Sequence, residues 1–296
     1  LSSETRLKTY IKKELRVILE EFGDKRRCQI VSDVVSAQAF NDEDMIPAEN
    51  VTVVLSEKGW VKAAKGHDID SASLNYKSGD SFLKDARGRS NKMAIFIDSS
   101  GRSYTLLANS LPSARGQGEP LTGRLTPPIG AEFIDVVMGD DDQPIILSSD
   151  AGYGFISTLG NLQSKTKSGK HAITLSKQAK TMRITKVDDI ESDFLAVVTN
   201  RARLLIFPVS ELPQLSKGKG NKLIHIKKED FQEREEFLIG ICTIKSSQKL
   251  RVEYGNGKKH KNYSFEDLVN FTSHRARKGL TIPGVHGKAL DIDTID

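Results

Sequence analysis

The chain has 296 residues, 38% of them hydrophobic and 28% charged, which is enough apolar material for a real core and far from the composition of a disordered chain. No run approaches the roughly 20 apolar residues a membrane span needs, and no basic-then-apolar signal segment opens the chain, so a cytoplasmic protein is predicted. Net charge is +5, with 8 basic and 10 acidic side chains in residues 1–50 but 36 against 29 in the remainder, so the excess lies where a clustered field can recruit polyanions.

The first predicted element is a helix. Ser3 precedes Glu4 and Thr5, and Leu7, Tyr10, Ile11, Leu15, Ile18, Leu19 and Phe22 recur at helical spacing. Gly23 is a natural stop, and Lys25, Arg26 and Arg27 follow where cations suit a helix C-terminus. A single stripe of this kind cannot bury itself and calls for a partner helix. The chain opens on Leu1 rather than methionine, which predicts a natural N-terminus lying elsewhere. Small and acidic residues then predict a linker over 32–45, dividing the chain into a helical segment, 1–31, and a β domain, 46–296. Cys28 and Cys242 lack any CxxC or histidine partner at metal spacing, so free thiols in a reducing compartment are expected.

From Val51 the helical period gives way to short β-type runs broken by turns. Val51–Leu55 and Trp60–Lys62 flank Gly59; Ala94–Ile97 and Arg102–Tyr104 flank Gly101; Ile145–Leu147 and Tyr153–Phe155 flank Gly152; Leu195–Val198 and Arg203–Phe207 flank Ala202. A weaker copy joins Leu250–Tyr254 to Tyr263 through Gly255-Asn256-Gly257. These read as hairpins with turn residues where positive φ is needed. The turn positions 59, 101, 152, 202 and 257 are separated by 42, 51, 50 and 55 residues, the period of a propeller-type array whose sheets need neighbours to bury both faces. A sandwich would show strands every 8–12 residues without this longer echo.

Between the hairpins recurs a second element rich in glycine and cations: Ser113–Gly118, Ser164–Lys170, Ser216–Lys222 and His274–Gly279. Equivalent loops of a blade array occupy equivalent places, so these predict an arc of positive charge whose glycines let backbone amides approach phosphates. The candidate phosphate contacts are Lys62, Lys65, Arg102, Arg115, Lys165, Lys167, Lys170, Lys217, Lys219, Arg275, Arg277 and Lys278. Trp60, Tyr104, Tyr153 and Phe207 follow the turns and are expected to fill the core rather than stack on bases. Asp140-Asp141-Asp142 lacks the spaced ligands of a calcium loop, His67-Asp68 has no nucleophile motif to serve, and Gly218–Lys222 lacks Walker spacing. No catalytic, metal or cofactor residues are expected.

Three stretches, Phe22–Arg27, Glu43–Pro47 with Val51–Ser56, and Gly59–Lys62, resemble the A subunits of bacterial type IIA topoisomerases at the end of their coiled-coil helix and the first strand of their C-terminal β-pinwheel. Lys65–Asp70, Leu111–Gly123, Ser149–Phe155 and Leu212–Lys222 are more similar to the topoisomerase IV type (ParC) than to its gyrase counterpart. The resemblance implies a mainly β fold, a propeller-like pinwheel of five blades with strands exchanged between neighbours, preceded by one α-helix from a coiled coil of the breakage-reunion core. It implies a non-catalytic domain that binds and bends DNA for decatenation, relaxation and chromosome segregation. Gyrase carries a Gln-(Arg/Lys)-Arg-Gly-Gly-(Arg/Lys)-Gly box; the departure here to Ala114-Arg115-Gly116-Gln117-Gly118 speaks against tight chiral wrapping. The implied partners are duplex DNA, the topoisomerase IV B subunit, and a second A subunit, with Mg2+ and ATP serving the whole enzyme. Nucleoid association, and a peripheral place at the inner membrane, are further implications. None of the tyrosines at 10, 76, 104, 153, 254 and 263 sits in the family's nucleophile motif. The alternative is a protein-interaction scaffold that docks an acidic partner such as a chromosome condensin.

Overall fold

The acid in the first turn and the apolar stripe yield a helix, α1, over Glu4–Phe22. It is braced on its surface by the Lys8–Glu4 pair at 2.8 Å, one turn apart, and ends where the Gly23 N–H donates to the Leu19 carbonyl. The computed structural model describes residues 3–24, 48–255, 257, 259–285 and 287–295. They fall into two units, Leu1–Asn41 and Asp42–Asp296. The stripe of α1 is exposed, from 39% at Leu7 to 75% at Phe22. The linker expected at 32–45, Lys25–Arg27 and Cys28 lie outside the described residues. Among those residues no helix is long and apolar enough to cross a membrane.

Among the described residues the second unit holds nineteen strands: β1 (Asn50–Ser56), β2 (Trp60–Lys65), β3 (Phe82–Arg89), β4 (Met93–Asp98), β5 (Arg102–Leu107), β6 (Glu119–Pro120), β7 (Phe133–Val137), β8 (Pro144–Ser149), β9 (Tyr153–Thr158) and β10 (Lys170–His171), followed by the nine given next. These are β11 (Thr185–Lys186), β12 (Phe194–Thr199), β13 (Arg203–Pro208), β14 (Asn221–Lys222), β15 (Leu238–Ile244), β16 (Lys249–Tyr254), β17 (Lys259–Tyr263), β18 (Leu280–Thr281) and β19 (Ala289–Ile295). They form five sheets, ordered β3-β1-β2-β6, β10-β5-β4-β7, β11-β8-β9-β14, β15-β12-β13-β18 and β17-β16-β19. The fold is a five-bladed propeller; the first four predicted hairpins are each the centre of one blade, and the fifth supplies the middle and outer strands of the last. At the tight turns Gly59, Gly101, Gly152 and Ala202 all adopt positive φ.

Strand exchange follows from the order. β6 leaves the hairpin of the second blade to close the edge of the first, and β10, β14 and β18 repeat the move one blade further on each time. The opposite edges, β3, β7, β11, β15 and β19, line a central cavity of about 1100 Å³, so β6, β10, β14 and β18 lie on the outer rim.

Both faces of a middle blade are buried, which explains the unbroken apolar runs. Ala94 and Phe96 of β4 pack toward the first blade, while Ile95 and Ile97 pack toward the third. In β12, Leu195 and Val197 face the third blade and Ala196 and Val198 face the fifth. Successive blades thus share four buried clusters. The first blade covers its other face with its own segment: His67 Nε2 meets the Gly88 carbonyl at 2.9 Å, the Ser71 hydroxyl donates to Asp85, and the Tyr76 hydroxyl donates to the Ser71 carbonyl.

Between the second and third blades Asp135 is fully buried. It accepts the Ile184 and Val136 N–H groups at 2.7 and 2.9 Å, yet burial pushes its pKa up to about 6. A carboxyl raised in the fold binds its proton more tightly folded than unfolded. Its stabilising contribution is therefore complete below the ordinary carboxylate range and is lost as pH rises toward 6. The expected loss is on the order of 2–3 kcal/mol, measured as a urea midpoint that falls between about pH 4 and 6. Asp135→Asn should flatten that slope.

Candidate nucleic-acid interface

The four basic loops occupy one topological position. Each follows a single-turn helical segment at the end of a blade's hairpin (Ala108–Ser110, Leu159–Leu162, Val209–Glu211 and Val269–Phe271) and leads directly into β6, β10, β14 or β18. Each is also pinned at both ends to the strand it borders. The Ala63 N–H donates to the Pro112 carbonyl, Ala114 donates back to Ala63, and Val61 pairs with Glu119. Ile156 donates to Pro213, Leu215 donates to Ile156, and Gly154 pairs with Asn221. Ser273 donates to Ile206, and Leu204 pairs with Leu280. In the remaining loop the Ser103 hydroxyl donates to the Leu162 carbonyl and Ser164 N–H donates to the Thr105 hydroxyl, before Ser103 pairs with Lys170.

Entry into the outer strand requires glycine. Gly118, Gly169, Gly220 and Gly279 stand one residue before it with φ between 65° and 88°. A methyl group on Gly118 would lie 2.5 Å from the Val61 carbonyl oxygen, one on Gly169 2.7 Å from that of Ser103, one on Gly279 2.8 Å from that of Leu204, and one on Gly220 closer still to that of Gly154. The loops are therefore held tightly against the rim.

The rim exposes Arg115, Lys165, Lys167, Lys217, Lys219, Arg277 and Lys278. Arg102, Lys170 and Arg275 are half-buried, and the Arg102 and Arg275 side chains reach carbonyls of the rim, Arg275 that of Lys222 at 3.4 Å. Arg102 donates to the Ser168 carbonyl at 2.9 Å and meets His171 Nε2 at 3.0 Å. Burial lowers the pKa of Lys170. The Arg275 N–H and His274 Nδ1 meet the two oxygens of Glu211 at 3.0 and 2.9 Å; burial opposes the Glu211 charge, but these contacts hold its pKa below the usual value. Lys65 stands at the far end of β2, paired with Glu49 at 2.8 Å and with its side chain 84% exposed.

Lys62 corrects the expectation of a phosphate contact, since only 2% of its surface is exposed. Val61 and Ala63 face the second blade, so Lys62 points to the side that the first blade covers itself. There its ammonium lies 3.9 Å from the Tyr76 ring centre and donates to the Asn75 carbonyl, while desolvation lowers its pKa. The aromatic residues also divide. Tyr104 and Phe207 are buried core side chains, but Trp60 and Tyr153 are half-buried at the rim, beneath the ammonium groups of Lys77 at 4.6 Å and Lys219 at 3.9 Å. Such contacts are worth about 0.5–1 kcal/mol at exposed sites and fix where the cation sits.

Lys259 and Lys261, exposed on β17, the outer strand of the fifth blade, are rim cations that the pattern of basic loops misses. Their signal is a short cationic run, but it lies in the return of a hairpin rather than in a glycine-bearing loop. Asp140 pairs with Lys92 at 3.2 Å and Asp141 accepts from Gln163. Among the described residues no three His, Cys, Asp or Glu side chains gather into a metal site. Cys242 is a buried free thiol whose pKa is raised by burial.

Residues 143–188 and 193–241 match the family described as DNA gyrase C-terminal domain, beta-propeller. The chain is 49% identical over 283 residues to the DNA topoisomerase 4 A subunit of Pseudomonas aeruginosa and 44% identical over 285 residues to that of Escherichia coli, in each case over 96% of this chain and 37% of the relative. It thus spans little more than a third of the length of these relatives. The structure of the E. coli ParC C-terminal domain is similar with a TM-score of 0.75 and 44% identity, over 84% of this chain and 99% of that one. The DNA gyrase A C-terminal domain, at 15% identity and a TM-score of 0.61, over 84% of this chain and 83% of that one, shares the fold. With 44% identity over nearly all of a solved ParC C-terminal domain, the chain belongs to the family of C-terminal domains of the topoisomerase IV A subunits.

Proposed function

We propose that this chain grips duplex DNA along its outer rim and bends it without reading sequence, presenting the duplex to the strand-passage gate of a topoisomerase IV during decatenation, relaxation and chromosome segregation. The observation that carries this reading is the recurrence of a pinned, cationic loop at the same point of four successive blades. Evenly placed cations on a curved edge attract phosphates from several turns of a helix at once, and each contact made favours a bent duplex over a straight one. Lysines on glycine-bearing loops supply charge and backbone amides but no base-reading helix, which suits contact with the phosphate backbone alone. Cleavage, and the use of ATP and Mg2+, belong in this reading to other parts of the enzyme, formed with the B subunit plus a second A subunit.

Fluorescence anisotropy of a labelled duplex over about 50–200 mM salt tests the reading. If the seven exposed cations of the basic loops each neutralise a phosphate, log K should fall against log salt with a slope near −6. A flat dependence would sink it.

A second reading, docking of an acidic protein such as a chromosome condensin, draws support from β17, which carries Lys259 and Lys261 and has no fourth strand beside it among the described residues. Polyglutamate that displaced duplex only from a Lys259→Glu/Lys261→Glu-sensitive site would favour it.

A further inference from the structure

A segment leads into the inner strand of each blade, and in the first three blades it carries a tight turn. In the first blade the Asp80 N–H donates to the Lys77 carbonyl with Gly79 at positive φ, and in the third Ala179 donates to Ser176 with Gln178 at positive φ. The outermost residues of these turns are polar, Ser78 and Lys177. The second blade differs. Its turn is Pro128-Ile129-Gly130-Ala131, closed by the Ala131 N–H on the Pro128 carbonyl at 3.0 Å with Gly130 at φ 80°, and Ile129 at its tip is exposed to 107%. One exposed apolar residue is ordinary. This one is held out by consecutive prolines, Pro127 and Pro128, where the corresponding turns of the first and third blades carry Ser78 and Lys177.

Its neighbourhood gives it a use. The Thr126 N–H donates at 2.8 Å to the carbonyl of Lys167, so the turn is anchored on the loop that exposes Lys165 and Lys167. On the far side the Ser99 N–H donates to the Glu132 carbonyl and the Glu132 N–H donates to the Ser99 hydroxyl. From Thr126 to Ile129 the chain can reach about 10 Å at most, comparable to the step from a phosphate to the base edges of a minor groove about 6 Å wide. A rigid apolar tip beside phosphate-holding cations is the arrangement by which architectural proteins unstack a base step and kink DNA.

We propose that Ile129 is a wedge that enters a base step of the duplex held by the Lys165–Lys167 loop. Pyrimidine–purine steps, which unstack most readily, are the expected target. This inference rests on the DNA-binding reading and adds a bending device to it.

The test uses the whole chain and a duplex of about 40 base pairs with dyes at both ends and 2-aminopurine at its TA steps. The parent chain should raise both end-to-end energy transfer and 2-aminopurine emission. Ile129→Ser should lose the emission and most of the transfer while affinity drops about three- to tenfold and the salt slope stays the same; Ile129→Met should keep all three. Lys165→Gln with Lys167→Gln should lower the slope by about 2. Unstacking and bending by Ile129→Ser equal to the parent's would overturn the wedge but leave the rim contacts standing, as would a parent that binds without raising 2-aminopurine emission. A parent that does not bind duplex at all would remove the DNA reading and the wedge together.

Discussion

Replacing Lys165, Lys167, Lys217 and Lys219 together with glutamine should weaken duplex binding by about two to three orders of magnitude near 0.1 M salt. All four are exposed on two successive rim loops. Each phosphate neutralised releases counterions and adds about 0.9 to the salt slope, or nearly tenfold in affinity at that salt concentration, so the upper limit lies above three orders. Two features make the result specific. The slope should shrink by about 3–4, which a merely misfolded protein would not do in step with affinity. Lys62→Gln should leave affinity within about twofold, because Lys62 is buried under Tyr76 and cannot reach a phosphate. Anisotropy titrations over a salt series check both. Should the quadruple variant bind as tightly as the parent at low salt, the rim loops are not the DNA-binding surface.

What the sequence makes legible depends on how locally each feature is determined. The hairpins are legible because a three-residue reversal needs positive φ at its last position, and glycine at 59, 101 and 152 supplies it. The basic loops are legible because each holds its cations and glycines within a few neighbouring positions. The exchanged strands are not. β6, β10, β14 and β18 are two residues long, too short to show any alternation, and their pairing is set by a loop pinned to another blade. Lys62 escapes for a related reason: by register it corresponds to Tyr104 and Phe155, core positions facing the preceding blade, and only the cover over the first blade lets a lysine stand there. Trp60 and Tyr153 follow their turns directly, two residues nearer than Tyr104, and pair with outer strands; Tyr153 still packs against the core cluster of the third and fourth blades, while its ring also meets Lys219. Their lysine partners come from other segments, and the spacing of turns carries no sign of them.

Gly220→Ala is expected to cost about 3 kcal/mol or more of folding stability, a larger effect than the same change at Gly118, Gly169 or Gly279, where the carbonyl stands further off. Two terms add. Gly220 has φ of 73°, where an alanine loses about 1 kcal/mol or more to its own backbone. The added methyl also meets the Gly154 carbonyl and the Phe155 ring, and a backbone carbonyl in mid-sheet cannot step aside as a flexible side chain would. The strand that follows, β14, pairs with Tyr153 and Gly154, so relief by outward movement would break the edge of the third blade and carry Lys217 and Lys219 away from their places. A urea midpoint lowered together with weaker duplex binding is therefore predicted. Gly123→Ala, where nothing lies within 4 Å, should change neither. If Gly220→Ala proved as stable as the parent, the close approach of the loop to the rim would be wrong. The recurrence of a cationic loop at the same place in successive blades would then lose its structural cause, because it is these glycines that let each loop press onto the preceding blade.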